Sequence, residues 1–249
     1  MTMPSKTRKL ERVIWYAALT LAVIFGVWTI KDWNWWVVWE SKIALVDGLF
    51  RSVVFSLLGL ATALPIATVL ALARQYGPPW GRRIAVLIID VLRTVPQVII
   101  LLWVFFVLPE LTGLSITPEM SGYIGLTLIA VGYLAEVIRA GVGSVSRLQW
   151  ETGYAVGLSW LQTCRWIILP QAFRNMLPAL IAASVMTFKT TTLLYVIGVV
   201  DFFRAATLVN IREIEPQVIF TLVAIVYFSI CYSISLAIRK LDPDYELTE

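Results

Sequence analysis

The sequence predicts an all-α, polytopic membrane protein with six transmembrane helices. Two observations carry this. Hydrophobic residues make up 59% of the 249-residue chain and charged residues only 14%, against roughly 45–50% and about 25% in soluble domains. So few charges cannot cover the surface of a water-soluble globule of this size. The apolar residues also fall in continuous runs long enough to cross ~30 Å of hydrocarbon, not in the alternating ~10-residue segments of a membrane β-barrel.

Six runs qualify, at 13–30, 52–73, 84–108, 120–138, 180–200 and 217–238. The first follows a basic start (Lys6, Arg8, Lys9, Arg12) and ends Val27-Trp28-Thr29-Ile30-Lys31-Asp32. That ending has no small-residue cleavage site, so the run reads as a retained helix and not as a signal peptide. Next, Trp33, Trp35, Trp36 and Trp39 cluster as indoles do at a membrane–water interface. In the third run Pro96 kinks or breaks the helix, because residue 95 is pushed away from helical angles. In the fourth, Gly122, Gly125 and Gly132 predict close helix packing.

Orientation follows from the basic residues. With the N-terminus in the cytoplasm, thirteen Lys and Arg residues fall inside and five outside (Lys31, Lys42, Arg51, Arg204 and Arg212). That asymmetry predicts N-in and C-in, and an even number of spans agrees. The net charge of +4 is then an orientation signal and implies no nucleic-acid partner.

The connection between the fourth and fifth runs, about 139–178, is too long for a simple turn and carries structure of its own. Ser146 with Gln149, and Ser159 with Gln162, each have the spacing of a capping box. Gly157 lies between them and ends the first helix in a left-handed conformation, while Pro170 stops the second. The expectation is two short helices joined by a tight turn. Trp150, Tyr154, Leu158 and Trp160 give them a partly apolar surface that needs something to pack on.

This loop resembles a known motif. Glu151-Thr152-Gly153, three residues, Gly157, nine residues, then Ile167-Ile168-Leu169-Pro170 is similar to the EAA loop of the permease subunits of ABC importers. Flanking segments resemble the polar amino-acid branch, closest in appearance to glutamate/aspartate-type permeases. These are Arg93-Thr94-Val95-Pro96, Glu136-Val137-Ile138-Arg139-Ala140-Gly141, Leu169-Pro170-Gln171-Ala172-Phe173-Arg174 and Val199 to Ala206. The chain departs from the family pattern at Thr152-Gly153, at Leu148-Gln149 and at Lys189-Thr190-Thr191-Thr192, where relatives have a carboxylate after the lysine.

The resemblance implies a type I importer core of five helices over 45–240. Before it, 1–44 would hold a basic cytoplasmic N-terminus, an extra span and the Trp-rich segment, and 241–249 would be a cytoplasmic tail. It implies a bacterial cytoplasmic (inner) membrane protein working with a homologous or identical permease, two ABC ATPase subunits, an extracytoplasmic substrate-binding protein and the lipid bilayer. The loop would couple to the ATPase through Glu151, Thr152, Gly153, Gly157, Leu158, Ser159, Ile167, Leu169 and Pro170. This chain would bind no cofactor, since ATP and Mg would sit in the partner ATPase. The substrate would be a polar amino acid, with glutamate or aspartate favoured.

The residues agree on what is missing. There is no histidine, so His-based acid–base and triad chemistry are excluded. Cys164 and Cys231 fall in no metal or redox spacing. No P-loop is present: Lys189 is followed by threonine, but no glycine precedes it at the required spacing. The remaining candidates are charges inside the spans, each costing about 2.5–3.5 kcal/mol on insertion scales. Lys189, with Thr190, Thr191 and Thr192, either holds a substrate carboxylate or pairs across a subunit interface. Arg93 either faces a cavity beside the broken helix or pairs with Asp90 three residues earlier. Glu136 and Arg139 have the spacing of a structural or gate-region ion pair. An ion-coupled transporter or channel independent of ATPases is the alternative reading; it requires inverted repeats or a carboxylate relay, and neither is evident in the sequence.

Overall fold

The computed structural model describes residues 33–241. The expected first span, 13–30, and the tail from 242 lie outside the described residues. Among the described residues every regular element is a helix: α1 (Trp36–Glu40), α2 (Lys42–Tyr76), α3 (Pro79–Thr94), α4 (Gln97–Thr112), α5 (Pro118–Gly143), α6 (Arg147–Ala155), α7 (Trp160–Ile197), α8 (Phe202–Glu213) and α9 (Pro216–Leu241). Four of these, α2, α5, α7 and α9, are long and apolar enough to cross a membrane, and the bent pair α3–α4 makes five.

The helices sort their residues by size. Along α2, Gly48, Ser52, Ser56, Gly59, Ala63, Ala67 and Ala71 are buried, while Ile43, Phe50, Leu57 and Val69 point outward. A water-soluble helix buries its large residues; in lipid the small ones face neighbours so that backbones approach closely. The same device serves α5, the central helix, whose most apolar stretch is 67% buried against 22% for α2 and α9. A Cβ on Gly122, Gly125, Gly132 or Gly141 would press on Leu194, Leu101, Leu92 or Met176 respectively. The close packing expected from the first three is therefore present.

At the end remote from α6, Asp201 fastens α8 to α2. Its carboxylate accepts from the Arg204 backbone N–H at 2.8 Å and from the Ser52 hydroxyl at 3.5 Å, and Ser52 Oγ accepts from the Phe202 N–H at 3.0 Å. Burial outweighs these bonds and pushes the Asp201 carboxyl up to about 6.

Two prolines behave differently. At Val95–Pro96 the chain is extended (Val95 ψ 133°), and α3 and α4 diverge by 107°. This is the expected effect of proline on its predecessor. Pro170 does not stop a helix. A π turn over Cys164–Ile168 precedes it, and the helix continues to Ile197. The wide turn accommodates the missing N–H and the ring. A second π turn, Trp103–Val107, precedes Pro109 in α4 in the same way.

Candidate functional site

The loop of 139–178 is thus one short helix, α6, a tight turn, and the base of the long helix α7. The expected second short helix is corrected: it is the first part of a span. The turn is as expected. Gly157 has φ 81°, and its N–H and that of Leu158 close onto the carbonyls of Tyr154 and Gly153. Ser159 and Gln162 form a complete capping box. Ser146 stands at the N-cap of α6, but its hydroxyl makes no capping bond. Gln149 instead accepts from the Gln171 amide at 3.3 Å, sewing α6 to α7.

The helix α6 crosses the base of α7 at Gly153, where a Cβ would collide with the buried Thr163 side chain. That contact explains why a glycine stands at this position. The apolar surface rests on an aromatic cluster. Trp150 stacks on Trp160 with centroids 6.3 Å apart, and Tyr76, the last residue of α2, meets both rings at 5.9 and 5.8 Å. Tyr76 had no signal in the sequence, because its partners lie more than seventy positions away.

The opposite side of this element is open. Leu148, Val156 and Leu161 are 66%, 68% and 68% exposed. Glu151 is exposed and pairs only with Arg147 one turn earlier, at 3.1 Å, among the described residues. Thr152 bonds back to the Leu148 carbonyl. Leu158 is half-buried, Ile167 packs onto the core, Ile168 is fully buried, and Leu169 and Pro170 face outward.

Four of the charged candidates, Asp90, Arg93, Glu136 and Arg139, form one cluster near this end of the bundle. Glu136 of α5 receives Arg139 through two bonds of 3.1 Å from its Nε, Arg74 of α2 at 3.2 Å, and Arg93 of α3 at 3.9 Å. Asp90 pairs with Arg74 at 3.6 Å. The expected Glu136–Arg139 pair is present. The expected Asp90–Arg93 pair is not: each goes to a different partner, because α2 and α5 supply them. Arg74, 62 positions from Glu136, was not legible from local spacing.

Arg93 also borders an open cavity of about 420 Å³, lined with Tyr133, Glu136, Ser144, Asn175 and Ala179 among others. Farther along α7, Lys189 and Thr192 share a face and line a second cavity of about 480 Å³ with Tyr227 and Tyr232 of α9. Among the described residues Lys189 makes no ion pair. Thr190 points elsewhere: it donates to Gln97 at 3.3 Å, and Gln97 donates to Tyr133 at 3.3 Å, bridging α7, α4 and α5. Thr191 is buried, and all three threonines bond back to carbonyls of their own helix.

Comparisons with known proteins converge. Residues 63–246 match the family described as binding-protein-dependent transport system inner membrane component. The chain is 31% identical over 220 residues to the glutamate/aspartate import permease protein GltK of Escherichia coli O6:H1, covering 84% of this chain and 97% of that one. It is 32% identical over 212 residues to the glutamine transport system permease protein GlnP of Escherichia coli K12, covering 85% and 97%. Among solved structures, the fold matches a crystal structure of an amino acid ABC transporter with a TM-score of 0.77 at 23% identity, over 83% of this chain and 96% of that one. It also matches the MetNI methionine ABC transporter in an inward-facing conformation, with a TM-score of 0.64 at 18% identity, over 81% and 97%.

Proposed function

Since the chain belongs to the family of binding-protein-dependent transport system inner membrane components, we propose that it is the permease subunit of an ATP-driven importer of polar amino acids. Membership replaces the ion-coupled alternative, and it makes the chain a transport component whose ATPase is a separate subunit. In this reading the chain has six spans, N-in and C-in, in a bacterial inner membrane, and α6 faces the cytoplasm. A second permease, identical or homologous, completes the path. Two ABC ATPases holding ATP and Mg dock below, and an extracytoplasmic binding protein delivers the substrate.

The observation that carries this is the exposed apolar surface of α6 and its turn. Leu148, Val156 and Leu161 are large apolar side chains left uncovered on α6, its turn and the start of α7, while Trp150 and Trp160 of the same segments are packed together. Exposed apolar side chains of this kind mark a protein or membrane interface, and family membership favours the ATPase over lipid. Glu151, exposed on α6, is available to a basic residue of the ATPase. Movement of α6 is passed on by the Gly153–Thr163 contact to α7, which continues without interruption to Lys189. An ammonium with no ion pair among the described residues, in a cavity between α7 and α9, is suited to a substrate carboxylate and unsuited to cationic amino acids. Relatives named for glutamate/aspartate and for glutamine support the polar class, and Lys189 favours the anionic members.

The test is co-purification with a candidate ABC ATPase of the same organism, followed by ATPase activity in liposomes with binding protein and a panel of amino acids. The wild type is expected to associate and to be stimulated by glutamate or aspartate. Gly157→Arg, which strains a left-handed turn, is expected to lose association and stimulated activity, and Glu151→Lys to weaken both. A wild type that associates with no ATPase contradicts the proposal.

A further inference from the structure

Resting on the importer reading, we infer that the cavity beside Arg93 is a second, inner station for the substrate carboxylate, on the cytoplasmic side of Lys189. Three guanidinium groups, Arg74, Arg93 and Arg139, face two carboxylates, Glu136 and Asp90. The cluster is one negative charge short. The shortage is not shared equally. Arg74 and Arg139 hold Glu136 at hydrogen-bond distance, whereas Arg93 stands off at 3.9 Å with its side chain 41% exposed. Arg93 can therefore turn to an arriving carboxylate while Glu136 keeps two cations. A guanidinium offers that carboxylate a two-pronged, charge-assisted site.

The cavity walls fit an amino acid. The Tyr133 hydroxyl accepts from Gln97, which leaves its proton free to donate. Asn175, whose amide reaches the Ser144 hydroxyl at 2.8 Å, adds polar lining from α7, and Val137, Ala140 and Ala179 supply an apolar side. A volume of about 420 Å³ admits one such molecule with water. Ala179, on the cavity wall, precedes Lys189 by ten residues of the same helix, about 15 Å at 1.5 Å per residue. The wall of the inner cavity is thus reached about 15 Å along α7 from Lys189, in the direction of α6.

The test uses the purified permease–ATPase complex without binding protein, in a Lys189→Gln background, titrated calorimetrically with L-glutamate and L-glutamine. Saturable binding is expected to persist, to weaken at least about tenfold on adding Arg93→Gln, and to recover partly with Arg93→Lys. Glu136→Gln is expected to bind as tightly or more tightly, because it frees Arg93. If Glu136→Gln weakens binding as much as Arg93→Gln does, Arg93 is only a tie between helices and the inference is overturned. Equal affinity with and without Arg93, or no binding to the Lys189→Gln complex, also overturns it. L-Glutaminamide, which lacks a carboxylate, provides a check that needs no Arg93 variant: it is expected not to compete, and competition equal to that of glutamine sinks the station. Binding-protein-stimulated ATPase of the wild type tests the importer reading separately, so the two failures are distinguishable.

Discussion

Pro96 and Pro170 each follow an aliphatic residue and fall in apolar sequence, yet one divides a span and the other does not. At Pro96 the chain turns through 107°, leaving Arg93 and Gln97 on either side of the break. At Pro170 a π turn absorbs the ring, and α7 runs on from the turn after α6 to the level of Lys189. A break lets two half-helices move separately and exposes polar groups between them. A continuous helix transmits displacement. In the proposed reading the same residue type then serves a site in one region and a lever in the other, and the upstream backbone decides which.

The largest expected effect is at the lever's foot. Gly153→Leu drives a side chain into buried Thr163, where overpacking costs about 1–3 kcal/mol. It is expected to abolish coupled ATPase activity while α7 remains inserted, as read by assembly and by helix content. Next comes the proline pair. Pro96→Ala removes the constraint that separates α3 from α4 and re-aims Arg93 and Gln97; uptake in proteoliposomes is expected to fall at least about tenfold. Pro170→Ala leaves a helix that is already continuous, and uptake is expected to stay within about threefold of wild type. Equal losses at the two prolines would break the comparison.

Smaller effects sharpen it. Glu136→Ala leaves three guanidinium groups with only Asp90. With Glu136 24% exposed, and discounted for solvent, its loss is expected to destabilise the complex by about 1–3 kcal/mol. Asp90→Asn, at a group 54% exposed, is expected to cost less than about 0.5 kcal/mol, and thermal unfolding in micelles separates the two. The exposed groups of the turn and of α6 span the same range. Ser159→Ala removes a complete capping box, about 1 kcal/mol. Arg147→Ala removes a solvent-screened pair and is expected to change stability by only a few tenths of a kcal/mol.

Local chemistry was legible in the sequence, and long-range chemistry was not. The left-handed turn at Gly157 and the Ser159–Gln162 box were readable because each is settled within four residues. The helix break at Pro96 was readable because proline acts on its neighbour. Pro170 misled because a π turn upstream has no residue signature, and Ser146 because a capping residue's identity does not oblige its hydroxyl to bond. The small-residue face of α5 was visible, but its partners on α3, α4 and α7 were not. The Glu136 cluster joins residues from three helices, so the spacing of Asp90 and Arg93 pointed to a pair that α2 and α5 replace. Lys189 stood out at once, since any charge there is costly; which cavity it enters required the fold.

The most direct measurement compares two distances in the assembled complex by spin-label spectroscopy, with Cys164 and Cys231 replaced by alanine. Labels at exposed Leu161 and Val196 report the two ends of α7, and labels at Val156 and Phe106 report α6 against α4. Trapping ATP is expected to leave the first distance unchanged within about 2 Å while shifting the second by more. A first distance that changes as much as the second would contradict transmission through a continuous α7.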